Sequence, residues 1–203
     1  MGLIFVNKET FADTYTPPFT DVSCDHWAVD YISAIKDAGI TVGYPDGTFR
    51  PEESVTRAQM AAFIIRAIEG EPQQGSYDTD PYFADVDPTH WAFKYVQRVR
   101  ERDIAHGYPG NLYGPEDNVT REQMAKMLIM GLVSEGKIAE PPEDYCSSGS
   151  LFPDVEQDRW SCRYIKRLKE LGITTGYPDG TYRPEASVTR AEMAAFIYRA
   201  FLK

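Results

Sequence analysis

Three arginines stand at equivalent places in this chain: Arg57, Arg121 and Arg190, each directly after a threonine. A guanidinium presents a planar fork of N–H donors that matches the oxygens of a carboxylate or phosphate, so three in register point to capture of an acidic ligand rather than to bond-making chemistry. The residues around them are helix-start signals. Thr56, Thr120 and Thr189 suit the N-cap, and Gln59, Gln123 and Glu192, three positions on, suit the return bond of a capping box. Val55 with Met60, Val119 with Met124 and Val188 with Met193 have the spacing of a hydrophobic staple. Folding alone accounts for these residues but not for the arginines, because a cation at the first helical position opposes the helix dipole by about a few tenths of a kcal/mol. Two readings stand: a clamp for a carboxylate or phosphate aided by helix-start amides, or a structural salt bridge to Asp21, Asp85 or Asp154.

The elements that must position these arginines form a repeat of roughly fifty residues. Its first half reads Phe19-Thr20-Asp21-Val22 with Trp27, Phe83-Ala84-Asp85-Val86 with Trp91, and Phe152-Pro153-Asp154-Val155 with Trp160. Both the tryptophans and the Thr-Arg pairs step by 64 and then 69 residues, so the extra residues lie between repeats. The units are 19–69, 83–134 and 152–203, after an N-terminal extension 1–18, with polar crossings at about 70–82 and 135–151. Trp27, Tyr31, Ala34, Ile35 and Ala38, like Trp160, Tyr164, Leu168 and Leu171, predict a first helix, stopped by Gly39 or Gly172.

A turn-rich loop follows, from Ile40 to Pro51 and from Ile173 to Pro184, with a tight-turn Asp-Gly pair. Repeat 2 reads Gly110-Asn111-Leu112-Tyr113-Gly114 there instead. The second helix carries one apolar stripe: Met60, Phe63, Ile64, Ala67; Met124, Met127, Leu128, Gly131; and Met193, Phe196, Ile197, Ala200. A unit this small cannot bury enough apolar surface alone, so the three share a core. Terminal repeats of an open solenoid depart from consensus; here the outer two agree and the middle one departs. The expected fold is mainly α: three helix-loop-helix repeats closing into a pseudo-threefold bundle with short extended loop segments. Closure creates inter-repeat clefts, each holding an arginine from one repeat and an aromatic and loop from a neighbour.

The formal charge of −10 argues against nucleic acid as a partner, and no apolar run is long enough for membrane insertion. The densest basic stretch, Arg159, Arg163, Lys166, Arg167 and Lys169, reads as a solvated helix face. The start, Met1-Gly2-Leu3-Ile4-Phe5-Val6, lacks a secretory leader pattern and reads as a cut from a longer parent. Cys146 and Cys162, sixteen residues apart, form a disulfide on one reading; on the other, they and Cys24 are three buried thiols.

Catalytic spacing is lacking. His26 and His90 have Arg159 at the matching place in repeat 3 and read as solvated helix-start residues. Asp78, Asp80, Asp85 and Asp87 lack the loop pattern of a calcium site. No catalytic residue, cofactor or metal is expected.

The whole pattern, Phe-x-Asp-Val, Trp, Gly-Tyr-Pro-Asp-Gly-Thr and Thr-Arg-Ala-Glu, resembles the S-layer homology domain over about residues 19–203. The resemblance implies a non-catalytic, extracellular module of the cell wall or S-layer. Its partner would be an anionic, often pyruvylated, secondary cell-wall polysaccharide or a peptidoglycan-linked glycan, and the domain alone would be a monomer. It maps ligand contact onto Arg57, Arg121 and Arg190, and groove lining onto Asp21, Asp85, Asp154, Trp27, Trp91, Trp160, Gly43, Gly107 and Gly176. Only repeat 3 has the full Thr189-Arg190-Ala191-Glu192 motif. Glu122 beside Arg121 and the altered second loop predict unequal grooves, at most two of them competent. The rival reading is a protein-interaction or lattice-assembly module of the envelope.

Overall fold

The computed structural model describes residues 16–73 and 80–203, so Asp78 and most of the N-terminal extension lie outside the described residues. The chain is mainly helical: α1 (Val29–Asp37), α2 (Arg57–Glu69), α3 (Phe93–Glu101), α4 (Arg121–Ser134), α5 (Cys162–Glu170) and α6 (Arg190–Ile197), with no strand among the described residues. A 3-10 turn, Glu143–Cys146, precedes α5, and a π-helical turn, Tyr198–Leu202, extends α6.

Complete capping boxes start α2, α4 and α6, with Thr56, Thr120 and Thr189 at N-cap and Gln59, Gln123 and Glu192 bonding back. The single apolar stripe expected of these helices is too narrow. In α2, Ala58 and the run Met60–Ile65 are buried, because the second helices form the centre of the molecule, where α2 packs on both α4 and α6. Gly131 permits close approach there: a Cβ on it would meet Phe201 at 3.1 Å and Ile64 and Ile68 at 3.5 Å.

The first helices lie outside this centre, and the two helices of one repeat are not each other's main partners. Instead α2 packs on α3, α4 on α5, and α6 returns to α1, so the last repeat closes onto the first. The apolar face of α1 is Val29, Ile32 and Ile35. Trp27 and Ala38, expected on that face, are exposed, since the tryptophan occupies a turn ahead of the helix. Leu171, past the end of α5, is likewise exposed while Tyr164 and Leu168 are buried.

Hydrogen bonds complete the ring around its axis. Val55 N–H donates to Val188 O, Val188 N–H to Val119 O, and Val119 N–H to Val55 O, at 2.9, 3.0 and 2.9 Å. Farther out, the first two amides of each second helix donate to a neighbour's loop: Arg57 and Ala58 to Asp117 and Pro115, Arg121 and Glu122 to Ala186 and Pro184, and Arg190 and Ala191 to Glu53 and Pro51. These helix-start amides are therefore not the free donors the sequence suggested; closing the ring satisfies them.

Cys146 and Cys162 are disulfide-bonded, joining the 3-10 turn to the start of α5, while Cys24 is exposed. The basic face of α5 is not simply solvated. Lys166 donates to Tyr145 O and Gly149 O, Lys169 to Leu151 O, and Arg163 to Pro141 O, so this face fastens the 140–151 crossing to the helix.

Candidate functional site

Two inter-repeat junctions combine a buried arginine from one repeat, a Gly-Tyr loop and second helix from the next, and a tryptophan from the third. At the first junction Arg190, Gly43, Tyr44, Gln59 and Trp91 line a cavity of about 350 Å³, together with Glu116, whose carboxylate lies 3.4 Å from His90 Nε2. At the second, Arg57, Gly107, Tyr108, Gln123, Lys126 and Trp160 line one of about 210 Å³.

The arginines are held identically at one edge. Nε of Arg57, Arg121 and Arg190 donates to the carbonyls of Tyr113, Tyr182 and Phe49 at 2.7, 2.7 and 2.6 Å. Each guanidinium also lies over aromatic rings: Arg190 over Tyr44 and Phe49, Arg57 over Tyr108 and Tyr113, Arg121 over Tyr177 and Tyr182. None forms the salt bridge to Asp21, Asp85 or Asp154 that the sequence left open.

Their outer edges differ. Arg121 Nη1 is 3.1 Å from Glu192 Oε1, and Tyr177 donates its hydroxyl to the same oxygen at 2.8 Å. At the first junction Gln59 replaces that glutamate: its Oε1 lies 3.5 Å from Arg190 Nη1, and its Nε2 donates to Tyr44 at 3.3 Å. At the second, Gln123 Nε2 likewise donates to Tyr108, at 3.4 Å. Among the described residues, neither Arg57 nor Arg190 has a carboxylate partner. Burial pushes the Arg190 guanidinium below its ordinary value, opposed by Tyr44 and Glu53. No fully buried side-chain polar atom lacks a hydrogen bond among the described residues, so the nitrogens of Arg57 and Arg190 not bonded to protein are those the cavities reach.

The residue at the third helical position thus sets the character of each junction. Glutamate closes the circuit with both the arginine and the tyrosine hydroxyl. Glutamine gives the cation no direct ion pair and, by donating to the tyrosine oxygen, leaves that hydroxyl proton free to face a ligand. Glu122, expected to disturb Arg121, is turned elsewhere: Arg159 grips it at 2.8 and 3.1 Å and Ser161 donates to it at 2.7 Å.

The other mapped residues divide. Trp27, Trp91 and Trp160 are 57%, 54% and 51% exposed, too open for core residues of their size. The glycines are dictated by packing: all three have positive φ, and a Cβ at Gly43, Gly107 or Gly176 would lie 2.2–2.4 Å from the ring of the motif phenylalanine. The aspartates face inward to the loop. Asp21 accepts the amides of Phe49 and Arg50, Asp85 those of Tyr113 and Gly114, and Asp154 those of Tyr182 and Arg183. They hold a turn in which Arg50 and Arg183 take φ near +60°, a structural task rather than groove lining. His26 and His90 are half-buried turn residues rather than solvated ones: Nδ1 accepts the amide of Ala28 or Ala92 at 3.1 Å, just ahead of the helix. Sequence reasoning missed Tyr44, Tyr108 and Lys126 as groove residues. The tyrosine's recurrence before proline in all three loops was the available signal.

No helix is long and apolar enough to cross a membrane, and no cluster of metal-ligating side chains occurs among the described residues. A model of the S-layer homology domain matches residues 18–61, 82–125 and 151–194. The chain is 33% identical over 160 residues to cell surface glycoprotein 1 of Acetivibrio thermocellus, covering 78% of this chain and 7% of that protein. It is 33% identical over 158 residues to the cellulosome-anchoring protein of the same organism, covering 78% and 34%. It is also 31% identical over 183 residues to an endoglucanase of Bacillus sp. (strain KSM-635), covering 89% and 18%. This chain therefore spans about a third or less of each of these relatives.

Proposed function

The chain belongs to the S-layer homology domain family and is a cell-surface anchoring module, from which we propose that it binds an acidic cell-wall glycan in two of its three inter-repeat grooves. Its place is the extracellular cell wall or surface layer, and the unit itself is non-catalytic. One observation carries the proposal: among the described residues, Arg190 and Arg57 are buried against cavities with no carboxylate at ion-pair distance, whereas Arg121 is neutralised by Glu192. A buried cation lacking an ion-pair partner is unfavourable unless something supplies the charge. The carboxylate of a pyruvate ketal on a wall sugar fits that demand.

In this mechanism the ligand carboxylate accepts from the outer guanidinium nitrogens and from the hydroxyl of Tyr44 or Tyr108. Nε, fixed on the neighbouring loop carbonyl, keeps the fork in plane, so little side-chain entropy is lost on binding. The apolar sugar face lies on Trp91 or Trp160, whose exposure in the free protein means that binding buries new aromatic surface.

The test is retention of the purified chain on isolated cell-wall sacculi before and after chemical removal of their accessory polymer. Retention that disappears with the polymer, and that weakens as salt rises, supports the proposal. Retention unchanged by stripping overturns it.

A further inference from the structure

Adjoining the second groove is a further cavity of about 380 Å³, which Arg57 does not line. It shares two walls with the second groove, Trp160 and Lys126. Its far wall comes from the crossing that precedes repeat 3: Glu143 and Cys146 of the 3-10 turn, locked to α5 by the Cys146–Cys162 bond. The second groove alone is smaller than the roughly 300–1,000 Å³ of ordinary small-molecule sites, and the two lobes together fall within that range.

We propose that the second groove and this cavity form one cleft with two subsites, taking an acidic sugar at Arg57 and a neutral sugar, joined to it, beyond Trp160. The inference rests on the proposed glycan-binding role of the groove. Charge decides which sugar goes where. The basic side chains of the second lobe are already engaged: Arg159 with Glu122 and Glu185, Arg163 with Glu140. Its remaining polar groups include Glu143, Asp158 and Gln157, all exposed. Two carboxylates repel an acidic sugar but accept hydrogen bonds from hydroxyls, which a neutral sugar supplies. Lys126 stands at the boundary, its ammonium 5.9 Å from the Tyr164 ring centre and, among the described residues, without a carboxylate partner. Tyr164 lines the second lobe, so this one cation is outnumbered there by Glu143 and Asp158, and the Trp160 indole offers its surface to both sugars.

The disulfide has a definite role in this arrangement. It fixes the 3-10 turn that bears Glu143, so the second subsite is built before ligand arrives and its ordering cost is already met.

Calorimetry with two probes tests this: the methyl glycoside of a hexose bearing a pyruvate ketal, and the disaccharide joining that sugar to a neutral N-acetylhexosamine. The disaccharide is expected to bind about tenfold tighter, the gain from about two net hydrogen bonds. Asp158→Ala with Gln157→Ala, both exposed and neutral to folding, should abolish the gain and leave the monosaccharide affinity unchanged. The double variant Cys146→Ser, Cys162→Ser should reduce the gain in the same way, with circular dichroism to verify its fold. Equal affinity for the two probes overturns the second subsite while leaving the acidic-sugar reading intact, and so does a gain that survives Asp158→Ala with Gln157→Ala. Failure of the monosaccharide itself to bind overturns both.

Discussion

Replacing Glu192 by glutamine should create a third binding site. In the native protein the Glu192 carboxylate sits 3.1 Å from Arg121 Nη1, on a guanidinium whose side chain is only 4% exposed. Two unit charges about 4 Å apart interact by about 4 kcal/mol at an effective dielectric constant near 20. A ligand carboxylate entering this junction has to displace that interaction, a handicap of about a thousandfold in affinity. Glutamine removes the competing charge yet preserves the capping box, as Gln59 and Gln123 already do at the other junctions. Titration of a pyruvylated hexose glycoside by calorimetry should give two sites per chain for the native protein and three for Glu192→Gln. The variant should lose about 1–2 kcal/mol of stability, less than a broken buried pair usually costs because the uncompensated arrangement already exists twice in the same fold. A folded Glu192→Gln protein with an unchanged site count would refute the idea that this glutamate closes the junction.

Phe49→Tyr should stabilise the seam between first and last repeats. Tyr113 and Tyr182 donate their hydroxyls to the carbonyls of Arg57 and Arg121 at 3.1 and 2.8 Å, and Phe49 stands at the equivalent place without a hydroxyl. The expected gain in thermal or urea unfolding is about 1 kcal/mol; a loss would mean that this junction cannot admit the oxygen. Stability should also fall in acid through Glu71, whose burial alone would raise its pKa but whose hydrogen bonds from Lys94, Tyr95 and Arg66 hold it down at about 2. A depressed carboxylate stabilises the fold above its ordinary range and loses that contribution as pH falls toward the folded value, here between about 4.5 and 2. Because Glu71 is half exposed, screening limits the effect to about 1 kcal/mol, which Glu71→Gln should abolish in a pH series of unfolding curves. Finally, Gly107→Ala should cost several kcal/mol, since its Cβ would lie 2.4 Å from both Leu112 O and the Phe83 ring; wild-type stability would show that the loop simply shifts.

What was legible in the sequence was local. Capping chemistry acts within four residues, so Thr56, Gln59 and their counterparts announced the helix starts, and the arginines stood out because no cap calls for them. What depends on the ring was not legible. Helical spacing placed Trp27 on the buried face of α1, but the turn at residues 27–28 ends one step before the helix and leaves the indole outside. Asp21 looks like a groove carboxylate until its two oxygens are found on the amides of Phe49 and Arg50, 28 and 29 residues away. The alternation of Gln59, Gln123 and Glu192 was visible, yet each side chain could be judged only as a cap of its own helix. That Glu192 reaches Arg121, 71 residues earlier, follows from closure between repeats. The same closure explains why the helix-start amides are already engaged.

The most direct test of the account is sacculus retention of the double variant Gln59→Glu, Gln123→Glu. Both substitutions reproduce the side chain that Glu192 already presents at the third junction, so the fold should be kept, with Arg190 and Arg57 each neutralised from within. The expected result is a protein at least as stable as the native one that no longer stays on polymer-bearing sacculi. Undiminished retention by this folded variant would contradict the claim that the two uncompensated arginines hold the wall glycan.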